Sequence, residues 1–146
     1  MAYSPALKTS PCVFATKSKK KCGYSPLSRK CEYTSLLSCD ADMSKHLTGC
    51  HLPKSLQEYE VILARAGVFS WEKRSLQDMI ICSSHRDEFG KYWRPPKSCQ
   101  YPEHVGKGKK FRDRHVININ LAAKIMETLH CVVPIGSRKF ALFVVV

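Results

Sequence analysis

The sequence lacks any apolar stretch long enough to cross a bilayer. Its longest uninterrupted apolar run, 140–146, has seven residues, whereas a membrane-spanning helix needs about 20. The first ten residues contain no continuous apolar run either, and a lysine-rich stretch follows them, which argues against a cleaved signal peptide. We therefore expect a protein without a membrane span in an intracellular, reducing location.

The motifs of several common enzyme classes are also missing. The chain has no His-Glu-x-x-His, no Gly-x-Ser-x-Gly and no Gly-x-Gly-x-x-Gly, and its glycine-lysine segment at 106–110 lacks phosphate-loop spacing. His85-Arg86-Asp87 matches the start of a kinase catalytic loop, but Tyr92 stands where that loop requires asparagine. We predict that the chain is not an enzyme; a nucleophilic Cys/His pair is the catalytic arrangement that the sequence leaves open.

Acidic residues are scarce relative to basic ones. The chain has 24 lysines and arginines against 12 aspartates and glutamates, a formal net charge of +12. The basic excess comes from residues 1–54 and 91–115, whereas 55–90 are slightly acidic. A surface of this sign attracts polyanions, which include nucleic acid, acidic proteins and anionic membrane faces. The charge therefore indicates a class of partner rather than one partner.

The second basic region mixes cations with aromatic side chains, which suits nucleic acid because cations meet phosphates and rings stack on bases. We predict a nucleic-acid partner, DNA rather than RNA, contacted by Lys91, Trp93, Arg94, Lys97, Lys107, Lys109, Lys110, Arg112 and Arg114. Two alternatives stay open, in which Trp93 packs in the interior and the basic run is a solvated linker. The lysine run at 17–21 is a candidate nuclear-localisation signal and predicts a nuclear protein.

Eight cysteines and six histidines provide candidate metal ligands. Cys82-x2-His85 is followed after 13 residues by Cys99-x4-His104, a spacing that lets two close pairs meet at one tetrahedral ion. Thiolate and imidazole are preferred zinc ligands, and four protein ligands leave no position for a substrate. The pattern predicts a structural zinc site. The alternative is that Cys82 is a buried apolar residue and Cys99 a surface thiol.

A weaker second zinc site is drawn from the cysteines and histidine nearer the N-terminus. Its candidate ligands are Cys31, Cys39, His46 and Cys50. Their spacing is loose, and only His46 and Cys50 are close enough in sequence to act as a pair. The alternative is a set of free thiols in a weakly ordered segment.

Two helices are predicted in the middle of the chain. Apolar residues recur at three- and four-residue spacing between Pro53 and Ala66, with Ser55 as a candidate cap and Gly67 at the end. A helix-start signal at Ser75 predicts a second helix that leads through Cys82 and stops near residue 90.

The C-terminal part is predicted to contain a third helix and short strands. Asn118 or Asn120 caps a helix that continues to about residue 130. Before it, 115–119 reads as a short strand, and after it, 131–136 reads as a strand followed by a turn. The Pro- and Gly-containing stretch 91–108 is predicted to be a loop that needs a restraint such as metal binding to be ordered.

Taken together, these features predict a small zinc-stabilised α+β domain with about three helices, short strands and a long loop. The expected domain covers 52–146, after a basic, cysteine-containing and weakly ordered segment at 1–51. The predicted function is a zinc-binding module that binds nucleic acid. Two alternatives remain, a zinc-stabilised protein-interaction module of a regulatory assembly with an acidic partner and a truncated fragment without activity of its own.

Overall fold

The computed structural model describes residues 11–94 and 116–137. Within them the chain forms two short strands and four α-helices, joined by 3₁₀ turns at Leu36–Ser38 and Lys73–Gln77. In chain order these elements are β1 (Tyr33–Ser35), α1 (Ser44–Gly49), α2 (Glu58–Arg65), β2 (Ile80–Cys82), α3 (Ser83–Phe89) and α4 (Ile119–Leu129). The predicted mixture of helices and short strands is confirmed. None of the described helices is both long and apolar enough to cross a bilayer.

The two strands form a small antiparallel sheet, and β2 ends at the predicted ligand Cys82. Thr34 lies opposite Ile81, and the register pairs Tyr33 with Cys82. The N-terminal segment adds to this pairing, since Val13 N donates to Ile80 O at 2.8 Å next to an isolated parallel bridge between Cys12 and Ile80. Segments that are far apart in sequence are therefore held side by side at β2.

The single helix predicted from Ser75 to near residue 90 is wrong in its first half. The structure places a 3₁₀ turn, then β2, and only then α3. Ile80 and Ile81 are β-branched residues that favour an extended backbone, and β1 supplies strand partners that a local pattern cannot reveal. A new helix begins after Cys82, whose side chain accepts from His85 N.

Helix α2 is the helix predicted from the apolar spacing, although it starts later than predicted. Gln57 rather than Ser55 is its cap, and Gln57 N donates to Glu60 Oε1 at 2.8 Å in a capping box. The predicted apolar face is buried, with Ile62 and Leu63 fully enclosed. Gly67 follows the helix with φ of +84°, a left-handed conformation in which glycine is favoured.

The third predicted helix is also confirmed, as α4. Asn118 is its cap, because its Oδ1 accepts from Leu121 N at 2.8 Å. Just before the helix, Ile117 exchanges backbone hydrogen bonds with the turn at Gly136 and Ser137, at 2.9 and 2.7 Å. This turn matches the predicted one, but the stretch before it is not a strand.

Two clusters of buried apolar side chains make up the interior. The first includes Phe14 and Leu36 together with the α2 residue Ile62, and the second includes Leu47 and Ile125. Helix α2 also contributes residues to the second cluster, so it packs on two sides. Each cluster draws on residues before and after position 52.

A buried ion pair links α2 to α3. The Glu58 carboxylate, whose side chain is 4% exposed, accepts from two Arg86 guanidinium nitrogens, each at 2.7 Å. Ala41 N donates to the same carboxylate at 3.0 Å. Because a buried carboxylate is costly without partners, these contacts fix the position of α3, which carries one of the site residues.

Candidate metal centre

Four potential metal ligands converge where β2 meets α3. Cys12, Cys22, Cys82 and His85 each place one ligand atom within 4.8 Å of the other three. Three of the four residues are buried, and Cys22 is partly exposed. The predicted proximity of Cys82 and His85 is confirmed, whereas Cys99 and His104 lie outside the described residues.

The pair Cys82 and His85 is arranged by the start of α3. Cys82 precedes the first helical residue, and its Sγ accepts from His85 N at 3.4 Å. His85 then lies in the first turn of the helix, and its Nδ1 is 3.1 Å from the same sulfur. A spacing of three residues at a helix start therefore gathers a thiol and an imidazole.

The other two sulfurs come from the N-terminal segment. Cys12 is held beside β2, where Cys82 N donates to its Sγ at 3.4 Å. Cys12 Sγ and Cys22 Sγ each lie 3.5 Å from His85 Nδ1. Three sulfurs thus surround one ring nitrogen.

The contacts of His85 show which of its ring nitrogens carries the proton and which one directs a lone pair at the sulfurs. Nε2 lies 3.1 Å from Lys20 O, and a carbonyl only accepts, so Nε2 carries the proton and donates. Nδ1 is then left with a single lone pair, as in metal-binding histidines whose other nitrogen donates to a carbonyl. One lone pair cannot accept hydrogen bonds from three thiols.

A metal ion accounts for this arrangement better than hydrogen bonds do. In a tetrahedral zinc site, with bonds of about 2.3 Å to sulfur and 2.0–2.1 Å to nitrogen, a sulfur and a nitrogen ligand lie roughly 3.5 Å apart. Two of the three sulfur–nitrogen distances at His85 have this value. The cluster is therefore a Cys₃His group that could hold a metal ion.

Aromatic rings enclose the cluster on its inner side. Cys82 and His85 are fully buried, and the Phe89 ring stacks on the His85 ring with centroids 6.3 Å apart. Phe14 packs on Phe89 in turn, at 5.6 Å. Four protein ligands are also the number found in structural zinc sites.

The protonation of Cys12 follows from the same burial. Burial raises the pKa of the Cys12 thiol to about 12; hydrogen bonds from the backbone lower it in part, and the neighbouring sulfurs Cys82 and Cys22 raise it. A thiolate in this place is thus unfavourable by itself. A bound cation reverses that preference, because coordinating thiols are deprotonated by the metal.

Further contacts hold the segment around Cys22 against α3. Ser18 Oγ donates to the Glu88 carboxylate at 2.7 and 2.8 Å, and Ser84 N donates to Gly23 O at 3.1 Å. Ser25 Oγ donates to Asp87 in the same helix. The approach of this segment to His85 therefore rests on the protein itself and not only on its sulfurs.

The four weaker candidates do not converge in the described part of the chain. Cys31 is exposed, and Cys39 is buried with its thiol donating to Ser35 O at 3.7 Å; burial raises the pKa of Cys39 to about 12. His46 Nε2 and Cys50 Sγ are 3.7 Å apart. Only this last pair is brought together.

A guanidinium already lies beside His46 and Cys50. Arg65 Nη1 donates to His46 Nε2 at 2.8 Å, and Arg65 Nη2 donates to Cys50 Sγ at 3.8 Å. A cation at this position opposes the binding of a second cation by the same two groups. The His46 and Cys50 pair thus differs from the Cys₃His cluster, where three sulfurs face the His85 imidazole.

Of the predicted nucleic-acid contacts, the structure describes Lys91, Trp93 and Arg94. They line a cavity of about 610 Å³ together with Lys45 and His46. The Arg65 guanidinium lies 4.0 Å from the centre of the Trp93 ring, which favours interior packing of Trp93 over base stacking. The remaining contacts, Lys97, Lys107, Lys109, Lys110, Arg112 and Arg114, lie outside the described residues.

Comparison of the chain with family models, curated proteins and solved structures found no match to any of them. The chemistry of the cluster must therefore be inferred from its own geometry. Sequence spacing does not identify Cys12 as a ligand and gives Cys22 no partner, because both lie 60 or more residues before Cys82. Their only signal is that they belong to an unusually cysteine-rich chain.

Proposed function

We propose that this protein is a non-catalytic binding module stabilised by one structural zinc ion at Cys12, Cys22, Cys82 and His85, and that it binds nucleic acid. The observation that carries the metal proposal is the convergence of three sulfurs on Nδ1 of His85. The other ring nitrogen of His85, Nε2, donates to a backbone carbonyl. Three thiolates and an imidazole form a donor set that suits zinc and is common in structural sites.

Metal content tests the zinc proposal. Protein purified without chelator should hold one zinc per chain by elemental analysis, and Cys22→Ser should hold much less, because three ligands bind a tetrahedral ion more weakly than four. Cys31→Ser is the matched control, since Cys31 is an exposed thiol in the same segment. Zinc-free wild-type protein that is folded would contradict the proposal.

A second pair of variants distinguishes the Cys₃His cluster from the ligand set predicted by sequence spacing. Under the proposal, Cys12→Ser loses zinc while Cys99→Ser retains it. The spacing of Cys82-x2-His85 with Cys99-x4-His104 predicts the reverse. If Cys99→Ser loses zinc and Cys12→Ser retains it, the ligands are Cys99 and His104 rather than Cys12 and Cys22.

The nucleic-acid part of the proposal is supported by charge. The net charge is +12 over 146 residues, and binding dominated by phosphate contacts weakens steeply as salt rises, because counterion release then gains less free energy. Labelled single-stranded and duplex oligonucleotides, titrated at increasing salt, should show affinity that falls linearly on logarithmic axes. If neither oligonucleotide binds at low salt, the nucleic-acid proposal is wrong, and the zinc proposal is unaffected.

A further inference from the structure

We infer that the nucleic-acid surface of this protein is the basic loop 12–22 together with the segment that follows it at 24–33, and that its preferred ligand is single-stranded. This inference rests on the proposed function and names the surface that performs it. The surface differs from the predicted contacts at 91–114. It is built around the metal centre, since Cys12 and Cys22 are the two ends of the basic loop.

The charge of this surface is concentrated and accessible. Residues 11–33 contain six cations and one acidic residue, Glu32. All six cations are exposed, namely Lys17, Lys19, Lys20, Lys21, Arg29 and Lys30. A net charge of +5 therefore comes from 23 residues, and each exposed cation can neutralise a phosphate and release a counterion.

The loop has a fixed shape, unlike a free lysine-rich arm. Its two ends are metal-ligand candidates, and Lys20 O, near its second end, accepts from His85 Nε2 at 3.1 Å. Ser18 Oγ donates to Glu88, which holds the loop against α3 and keeps that carboxylate engaged. A surface that is ordered before binding loses less conformational entropy on association.

Exposed aromatic side chains lie close in sequence to the cations. Tyr24 is 58% exposed and Tyr33 is 45% exposed, and Leu27 between them is 50% exposed. Tyrosine rings beside cations stack on unpaired bases, whereas the bases of a duplex are already stacked on each other. This combination favours a single-stranded ligand.

The tryptophan on the other basic surface is engaged elsewhere. Trp93 is covered by the Arg65 guanidinium and meets the His46 ring edge-on, with centroids 6.5 Å apart. The face of Trp93 that Arg65 covers is therefore already occupied and cannot stack on a base unless this contact breaks. Tyr24 and Tyr33 require no such rearrangement to expose their rings.

The test uses the zinc-loaded chain, a fluorescein-labelled single-stranded oligonucleotide and a duplex of the same sequence. The charge variant combines Lys17→Gln, Lys19→Gln and Lys21→Gln; its matched control combines Lys54→Gln, Lys73→Gln and Lys124→Gln, which are exposed lysines elsewhere. The charge variant should bind at least about tenfold more weakly and lower the salt slope by about 2, because each phosphate neutralised on a single strand accounts for about 0.7 of the slope. The control should bind much as the wild type does.

Stacking is tested separately from charge. Tyr24→Ala combined with Tyr33→Ala should weaken single-strand binding by about tenfold or more while the salt slope stays unchanged, because stacking is not a phosphate contact. Zinc content and circular dichroism of every variant establish that the fold is retained. Both tyrosines are exposed, so the substitutions leave the interior intact.

The outcomes separate the surface from the function. If the wild type binds neither oligonucleotide, the nucleic-acid function fails and the surface with it. If the wild type binds and the charge variant keeps its affinity and slope, the surface assignment alone is overturned. Equal binding by the double tyrosine variant and the wild type, or preference of the wild type for the duplex, overturns the single-stranded ligand.

Discussion

At the scale of single residues, Arg65 and His46 show how a buried positive charge is stabilised away from the cysteine cluster. Arg65 is 1% exposed, and its guanidinium donates to the carbonyls of Ile135, Phe89 and Gly90. Among residues 11–94 and 116–137, no carboxylate is paired with it. The guanidinium also donates to His46 Nε2, which requires that nitrogen to be unprotonated.

His46 should therefore make stability depend on pH. Burial, then the positive charges of Arg65 and Arg94, lower the pKa of His46 to about 4. The unfolded chain, with a histidine pKa of about 6.5, binds the proton more readily, so stability is full above that pH and is lost as pH falls towards 4. Urea unfolding measures this effect. Between pH 7 and pH 5 the free energy of unfolding of the wild type should decrease by about 1–2 kcal/mol more than that of His46→Gln. Equal losses would contradict this account.

The four candidate ligands show what sequence spacing can and cannot predict. The Cys82 and His85 pair is readable because both residues lie at the start of one helix, so three positions of spacing determine their distance. Cys12 and Cys22 reach the same place through strand pairing at Ile80 and contacts along α3. Such contacts depend on the whole fold, which is why half of the ligand set is predictable and half is not.

At the scale of the secondary-structure elements, α2 is the centre of the packing. It contributes to both apolar clusters and is joined to α3 by the Glu58 and Arg86 pair. The turn after it is confined, because a side chain at Gly67 would meet Val132 and Met126, beside and within α4. The end of α2 and the packing of α4 are therefore coupled through one glycine.

Two glycine substitutions test this coupling. Gly67→Ala should destabilise the protein by about 2 kcal/mol, because its φ of +84° is unfavourable for alanine and the new Cβ would lie 2.7 Å from a Val132 methyl group. Gly49→Ala is the control: Gly49 lies in α1 with nothing within 4 Å of a new Cβ, so it should be neutral or stabilising by up to about 1 kcal/mol. Urea unfolding measures both, and a stabilising Gly67→Ala would refute the coupling.

The elements also show where local patterns mislead. Apolar spacing predicts both α2 and α4. In α4 the buried residues Ala122 and Ile125 follow the helical period, whereas nearly all of α2 is buried because it packs on two sides. The same pattern extends a helix through Ile80 and Ile81, where the decisive partner is the distant strand Tyr33–Ser35. Helix α1 has no comparable signal, because its six residues are too few to show a period.

At the scale of the whole molecule, the ligand cluster joins parts of the chain that share one apolar cluster. Cys12 and Cys82 are themselves members of the first cluster, which also contains Phe14 and Phe89. The second cluster, built on α4 and the residues around Ile135, contains none of the four ligands. Under the proposal of a bound zinc ion, its removal should therefore affect the two clusters unequally.

Metal removal tests this difference. Structural zinc contributes about 10–16 kcal/mol of apparent binding free energy, which is comparable with the stability of a whole domain. Chelation should lower the melting temperature and abolish hydrogen-exchange protection of Val13 N and Ser83 N, while α4 amides lose less. Added zinc should restore protection. Uniform protection before and after chelation would show that no metal stabilises the first cluster.

The long separation of the ligands also sets the order of events during synthesis. Cys22 precedes Cys82 by 60 residues, which takes roughly 3–12 s at ribosomal rates of about 5–20 residues per second. During that interval two thiols of the nascent chain have neither of their later partners. The basic loop that lies between them can acquire its fixed shape only after α3 has been made, so a chain interrupted before residue 85 would carry the cations of this surface without its conformation.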